Sequence, residues 1–145
     1  MPKPNSVFRP IFPALKYQTK IPILLPKTIP GTTAEQPFFA ILETATATQY
    51  QILLAWSEDC SGGSACRLGT VAGMTIPTQS SLKGQAVALS KGITGYFIES
   101  TCGANCSDAT LTWDLKGSRY SVGIKAGDQA SLVEMANSAI SNGAF

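Results

Sequence analysis

From Thr110 to Lys125 the chain reads TLTWDLKGSRYSVGIK. Leu111, Trp113 and Leu115 alternate with Thr110, Thr112 and Asp114; beyond Lys116-Gly117, Tyr120, Val122 and Ile124 alternate with Arg119, Ser121, Gly123 and Lys125. Successive side chains of a strand point to opposite faces, so a period of two on both sides of a turn dictates a hairpin with one dry and one wet face. Burying those apolar side chains is worth on the order of 10 kcal/mol gross. A dry face must be covered, and that requirement constrains the rest of the chain.

More strands are expected upstream. FFAILETA (Phe38 to Ala45) and QYQILLAW (Gln49 to Trp56) flank a Thr-rich turn, and the second is apolar on both faces, as an interior strand would be. Cys66 to Ile76, Gln85 to Leu89 and Ile93 to Ser100 complete the set, with Gly69 and Gly73 marking bulges or close approach. Near the end, Leu132, Val133, Ala136, Ala139 and Ile140 follow helical spacing between a capping Asp128 and a stop at Asn142-Gly143. The expected fold class is α+β: a curved antiparallel sheet of six to seven strands, a Pro-rich N-terminal arm, and one C-terminal helix packed on the sheet.

Eight of the nine prolines lie within the first 37 residues. That density argues against any helix in FRPIFPALKYQTKIPILLPKTIPG, so residues 1–37 are expected as an extended arm packed on a domain of residues 38–145, with a short edge strand over 21–25. Residues 1–34 carry five bases and no acid; residues 35–145 carry six bases and nine acids, net −3. The basic arm is compatible with peripheral membrane association, and the absence of clustered bases or an RNA-binding aromatic signature argues against nucleic acid. No apolar run of 18 residues occurs, and MPKPNSVFRP has no apolar signal core, so an exported form implies a leader removed ahead of Met1.

Four cysteines fall in two pairs, Cys60 with Cys66 and Cys102 with Cys106, and the chain has no histidine. Zinc sites favour C-x2-C or C-x4-C spacing and redox pairs C-x2-C, whereas these are C-x5-C and C-x3-C in Gly- and Ser-rich loops. Two disulfides fit better. Of three possible connectivities, Cys60–Cys66 and Cys102–Cys106 are favoured because an up-and-down sheet would place the two loops at opposite ends. Disulfides persist in oxidising compartments, which places the protein in the periplasm or outside the cell.

Reactive chemistry finds little support. Without histidine there is no Ser-His-Asp or Cys-His device. Ser80-Ser81-Leu82-Lys83 matches a serine acyl-enzyme element but lacks its companion motifs. No phosphate-binding glycine fingerprint occurs; Glu58, Asp59 and Asp108 form no D-x-D-x-D calcium run; the sequon at Asn105 sits beside a cysteine. No enzyme activity, cofactor or metal is expected.

The stretch GITGYFIES…ATLTWDLKGSRYSVGIKAGDQASLVEMANSAI, Gly92 to Ile140, resembles the C-terminal domains of unknown function of membrane-anchored bacterial envelope proteins, anti-sigma-factor-like and sporulation-associated ones among them. Trp113, Gly117, Tyr120 and a helix through Ala136 and Ser138 carry the resemblance, and IPILLPKTIP is similar to a PxxLPxxLP lead-in of such domains. It implies an antiparallel sheet curved around a C-terminal helix. More distant similarity is to periplasmic lipoprotein carriers, which hold an acyl chain or peptide against the concave sheet. The cysteine pairs depart from the family pattern, and no catalytic residue comes with it.

The expected function is therefore a non-enzymatic extracytoplasmic envelope domain. It would bind an apolar small molecule, a peptide or an envelope protein in a pocket of several hundred cubic ångströms on the sheet, with Leu53, Trp56, Phe97, Trp113 and Tyr120 as candidate contacts. The alternative is a secreted inhibitor or recognition module presenting the loop of residues 60–66.

Overall fold

The computed structural model describes residues 4–33, 35–61, 65–78, 80–103 and 107–145. Seven strands form the sheet: β1 (Phe39–Thr46), β2 (Gln49–Ala55), β3 (Arg67–Thr75), β4 (Gln85–Ala88), β5 (Thr94–Ile98), β6 (Asp108–Leu115) and β7 (Ser118–Lys125). Two helices accompany them, α1 (Phe12–Gln18) and α2 (Gln129–Asn142). The sheet is open, in the order β1-β2-β3-β7-β6-β5-β4, and every neighbouring pair is antiparallel. This is the α+β class expected from the sequence, with the helix at the C-terminus.

The alternating hairpin is β6–β7. Trp113 pairs with Tyr120 and Leu111 with Val122, and Leu115 pairs with Ser118 across a two-residue turn. Lys116 and Gly117 both have positive φ, 50° and 85°, which matches the right-handed twist of the flanking strands. The dry face receives α2, whose Leu132, Met135, Ala136, Ala139 and Ile140 are buried. Asp128 starts that helix by accepting from the Ser131 N–H (2.7 Å), and Gly143 ends it at φ 75°.

Gly69 and Gly73 mark close approach, as anticipated. A Cβ on Gly69 would run into the carbonyl oxygen of Gly123, and one on Gly73 would lie 2.5 Å from the Tyr50 ring. The β2–β3 register also slips beside Gly69, where Leu54 pairs with Gly69 but Ala55 with Arg67.

The N-terminal third differs from its expectation in two ways. Residues 12–18 are helical despite the proline density, because Pro13 sits in the first turn, where no intrahelical N–H is required. Residues 21–25 form no strand. Pro22 and Pro26 deprive the segment of donors, and its backbone groups are bonded one by one by side chains and chain ends instead. Tyr120 Oη donates to Pro22 O (2.6 Å), Tyr50 Oη both accepts from Leu24 N (3.2 Å) and donates to Leu24 O (3.1 Å), and Asn142 donates to Leu25 O (3.3 Å). The Phe145 N–H donates to Ile23 O (2.9 Å). Ser138 Oγ accepts from Lys27 N and Thr28 N (3.1 and 3.2 Å). Phe8, Leu15, Ile21, Ile23, Leu24, Leu25 and Ile29 are thereby buried in the same core as the sheet and α2.

The two cysteine-bearing loops leave one end of the sheet, not opposite ends as expected from the sequence. The register sets Asp108 beside Lys125, Ile124 beside Gly69, and Gly69 beside Leu54, so the β2–β3 and β5–β6 loops leave the same end. Strict up-and-down alternation fails because β4, antiparallel to β5, runs in the same direction as β3. Residues 76–84 carry the chain from β3 to the far edge, past Arg119, which donates to Ser80 Oγ (2.8 Å) and Ser80 O (3.1 Å). A bidentate pair links the two loops' ends directly: Arg67 Nε and Nη2 donate to the two carboxylate oxygens of Asp108 at 3.1 and 2.7 Å.

Candidate functional site

The Cys60–Cys66 disulfide is present, with a Cα–Cα distance of 5.8 Å. Cys102 is also disulfide-bonded, while Cys106, assigned to it from the sequence, lies outside the described residues. The Cys60–Cys66 bridge covers a small apolar cluster of Leu53, Ala55 and Ile41 on the sheet face away from the main core. No group of three or more metal-ligating side chains occurs among the described residues. Ser80 Oγ is held by Arg119, itself paired with Asp114 (2.7 Å), so the serine of the SSLK stretch belongs to a surface ion-pair network.

The five candidate contact residues do not converge. Trp113 and Tyr120 stack, with ring centroids 6.0 Å apart and planes 28° apart, and Phe97 joins them in the main core. Leu53 lies on the opposite face, under the disulfide. Trp56 sits half-buried against Phe38, ring centroids 6.5 Å apart. The face expected to hold a pocket is filled by α2 and by the apolar side chains of residues 8–29. β2 reads as apolar on both sides because two separate clusters use it, one per face.

Space opens instead beside Tyr120, at the end of the sheet away from the disulfide. A cleft of about 330 Å³ is walled by Pro22, Leu24, Ile93, Leu115, Tyr120 and Ile140, with Lys91, Lys116, Gly143 and Ala144 completing it. Four elements meet here. The β6–β7 turn brings Leu115 and Lys116, and the β4–β5 turn brings Lys91 and Ile93. The C-terminal end of α2 brings Ile140, and the tyrosine-bonded segment brings Pro22 and Leu24. Two contacts fix the β4–β5 turn on α2: Asn137 Oδ1 accepts from Ser90 N (2.7 Å), and Lys91 Nζ donates to Ile140 O (3.3 Å). The second places a cation on the carbonyl end of the helix.

Burial raises the Tyr120 phenol above its ordinary value, and desolvation raises the Tyr50 phenol far more, so both stay protonated hydrogen-bonders at any ordinary pH. Beneath Tyr120, the Trp113 indole N–H is buried and has no hydrogen-bond partner among the described residues. Tyr120 is legible in the sequence as a candidate contact, whereas Pro22, Leu24, Ile93 and Ile140 are not. Each looks like an ordinary core residue, and only non-local contact, Tyr120 to Pro22 across 98 residues, reveals the wall they share.

No protein-family model matches the chain, and no curated protein or solved structure matches it significantly.

Proposed function

We propose that this is a non-enzymatic extracytoplasmic domain that binds an apolar ligand or the apolar side chains of a peptide in the cleft beside Tyr120. The observation that carries the reading is the cleft itself: about 330 Å³, at the low end of ligand-site sizes, with predominantly apolar walls. Its one phenol is committed to Pro22 O, so orientation rather than chemistry is what the walls supply. The Cys60–Cys66 disulfide supports an oxidising compartment.

The test is titration of the oxidised protein with an environment-sensitive apolar dye, alongside native mass spectrometry for retained ligand. Ala144→Trp places an indole at the exposed wall of the cleft and leaves the core intact. Saturable dye binding that Ala144→Trp abolishes is the expected result. Absence of binding, or binding that Ala144→Trp leaves unchanged, refutes the reading.

A further inference from the structure

The five bases of residues 1–34 have no acidic counterpart in that stretch, and the structure shows where four of them lie: Arg9, Lys16, Lys20 and Lys27 are all exposed. Two of them flank the exposed side of α1. Leu15 points into the core, and the opposite side of the helix carries Pro13 and Tyr17. Tyr17 is 91% exposed, with its amphipathic ring in solvent. Lys16 Nζ lies 5.8 Å from the centroid of the Phe12 ring. Phe12 meets Phe145 edge-on at 6.1 Å, and together with Pro4, Phe8, Arg9 and Pro13 they line an open cleft of about 440 Å³ whose lining, among the described residues, includes no acidic side chain.

We infer that this surface docks on an anionic lipid bilayer, with Arg9, Lys16 and Lys20 against headgroups and Tyr17 at the interfacial level. The composition selects that partner. An amphipathic aromatic ring beside bases with long apolar stems is what the headgroup region accommodates, because ring and stems enter the apolar boundary while the charges stay at the phosphates. Charge complementarity supplies the attraction, since residues 1–34 carry five bases and no acid. The inference stands on α1 and its cleft and is independent of the cleft beside Tyr120.

The experiment is co-sedimentation of the full oxidised chain with phosphatidylcholine vesicles and with vesicles containing 30% phosphatidylglycerol. A base near an anionic surface is worth about fivefold in partitioning. Binding to the anionic vesicles at low salt, lost at high salt and negligible on phosphatidylcholine alone, is expected. Arg9→Gln with Lys16→Gln should weaken it by about 25-fold. Tyr17→Ser should weaken it with the salt dependence preserved. All three positions are exposed, so the variants keep the fold, which circular dichroism verifies. Equal partitioning onto both vesicle types, no binding to either, or wild-type binding by the variants overturns the inference. So does equally tight, equally salt-sensitive binding to a DNA duplex that Tyr17→Ser leaves unaltered.

Discussion

Replacing Tyr50 by Phe removes one oxygen atom, yet the structure makes that oxygen structural. Tyr50 is fully buried, and its hydroxyl serves both backbone groups of Leu24, accepting from N at 3.2 Å and donating to O at 3.1 Å. Leu24 is itself buried and forms no strand ladder, so Phe at position 50 leaves an N–H and a C=O without partners. Each orphaned buried group costs about 1–3 kcal/mol, offset in part because the phenol oxygen no longer needs desolvation; a net loss of about 2–4 kcal/mol follows. For a chain of 145 residues the unfolding entropy near the midpoint is about 0.3 kcal/mol/K, so Tm should fall by about 7–13 °C. Differential scanning calorimetry on oxidised protein measures it, with the exposed Tyr17→Phe as a control expected to change nothing. Tyr120→Phe frees only Pro22 O, which the cleft leaves open to water, and should lose well under half as much. A shift below about 2 °C for Tyr50→Phe would show that the 21–25 segment is not held by side-chain bonds, and the account of its burial would fail.

Other perturbations have separate expected outcomes. Gly69→Ala should prevent native β3–β7 pairing because the obstacle is the Gly123 backbone, whereas Gly73→Ala meets a ring and should cost about 1–3 kcal/mol; soluble yield and urea midpoints distinguish them. Cys60→Ser with Cys66→Ser opens a ring worth about 2 kcal/mol on the chain-entropy estimate, and should lower Tm while leaving far-UV circular dichroism unchanged. The folded-state phenols of Tyr50 and Tyr120 are both raised, so the folded protein holds protons that the unfolded chain releases above about pH 10. The stability they contribute is full below that pH and declines as pH rises beyond it, by up to about 1.4 kcal/mol per unit for each group; denaturant melts at pH 9–11.5 should show the decline, and Tyr50→Phe should flatten it. Trp113→Phe removes the unpartnered indole N–H and keeps a ring on Tyr120, so it should cost less than the 3–5 kcal/mol of a buried aromatic truncation, as chemical denaturation will measure.

What the sequence disclosed follows the range of the interactions. The β6–β7 hairpin, the Asp128 cap and the Gly143 stop were readable because each is decided within a few residues. Helix α1 is hidden in the sequence because proline density argues against a helix, while Pro13 occupies a place in the first turn that tolerates it. The shared end of the two cysteine loops escaped because residues 76–84 carry no periodicity, and reversing one crossover inverts the parity of every later strand. Leu53 was grouped with Trp113 because an alternating pattern cannot reveal which face is covered by a distant disulfide. The residues of the resemblance have visible duties: Trp113 and Tyr120 stack, Gly117 turns the hairpin, Ala136 is buried and Ser138 bonds the lead-in segment.

The strand order makes the molecule polar in the mechanical sense. The Cys60–Cys66 clamp and the Arg67–Asp108 fork lie at one pole of the sheet, and the Tyr120 cleft opens at the other, among turns held by hydrogen bonds and apolar packing. Thiol reductants would slacken the clamped pole and leave the open one free to breathe as before, so such a domain could lose rigidity in one half of its length without forfeiting what the other half holds.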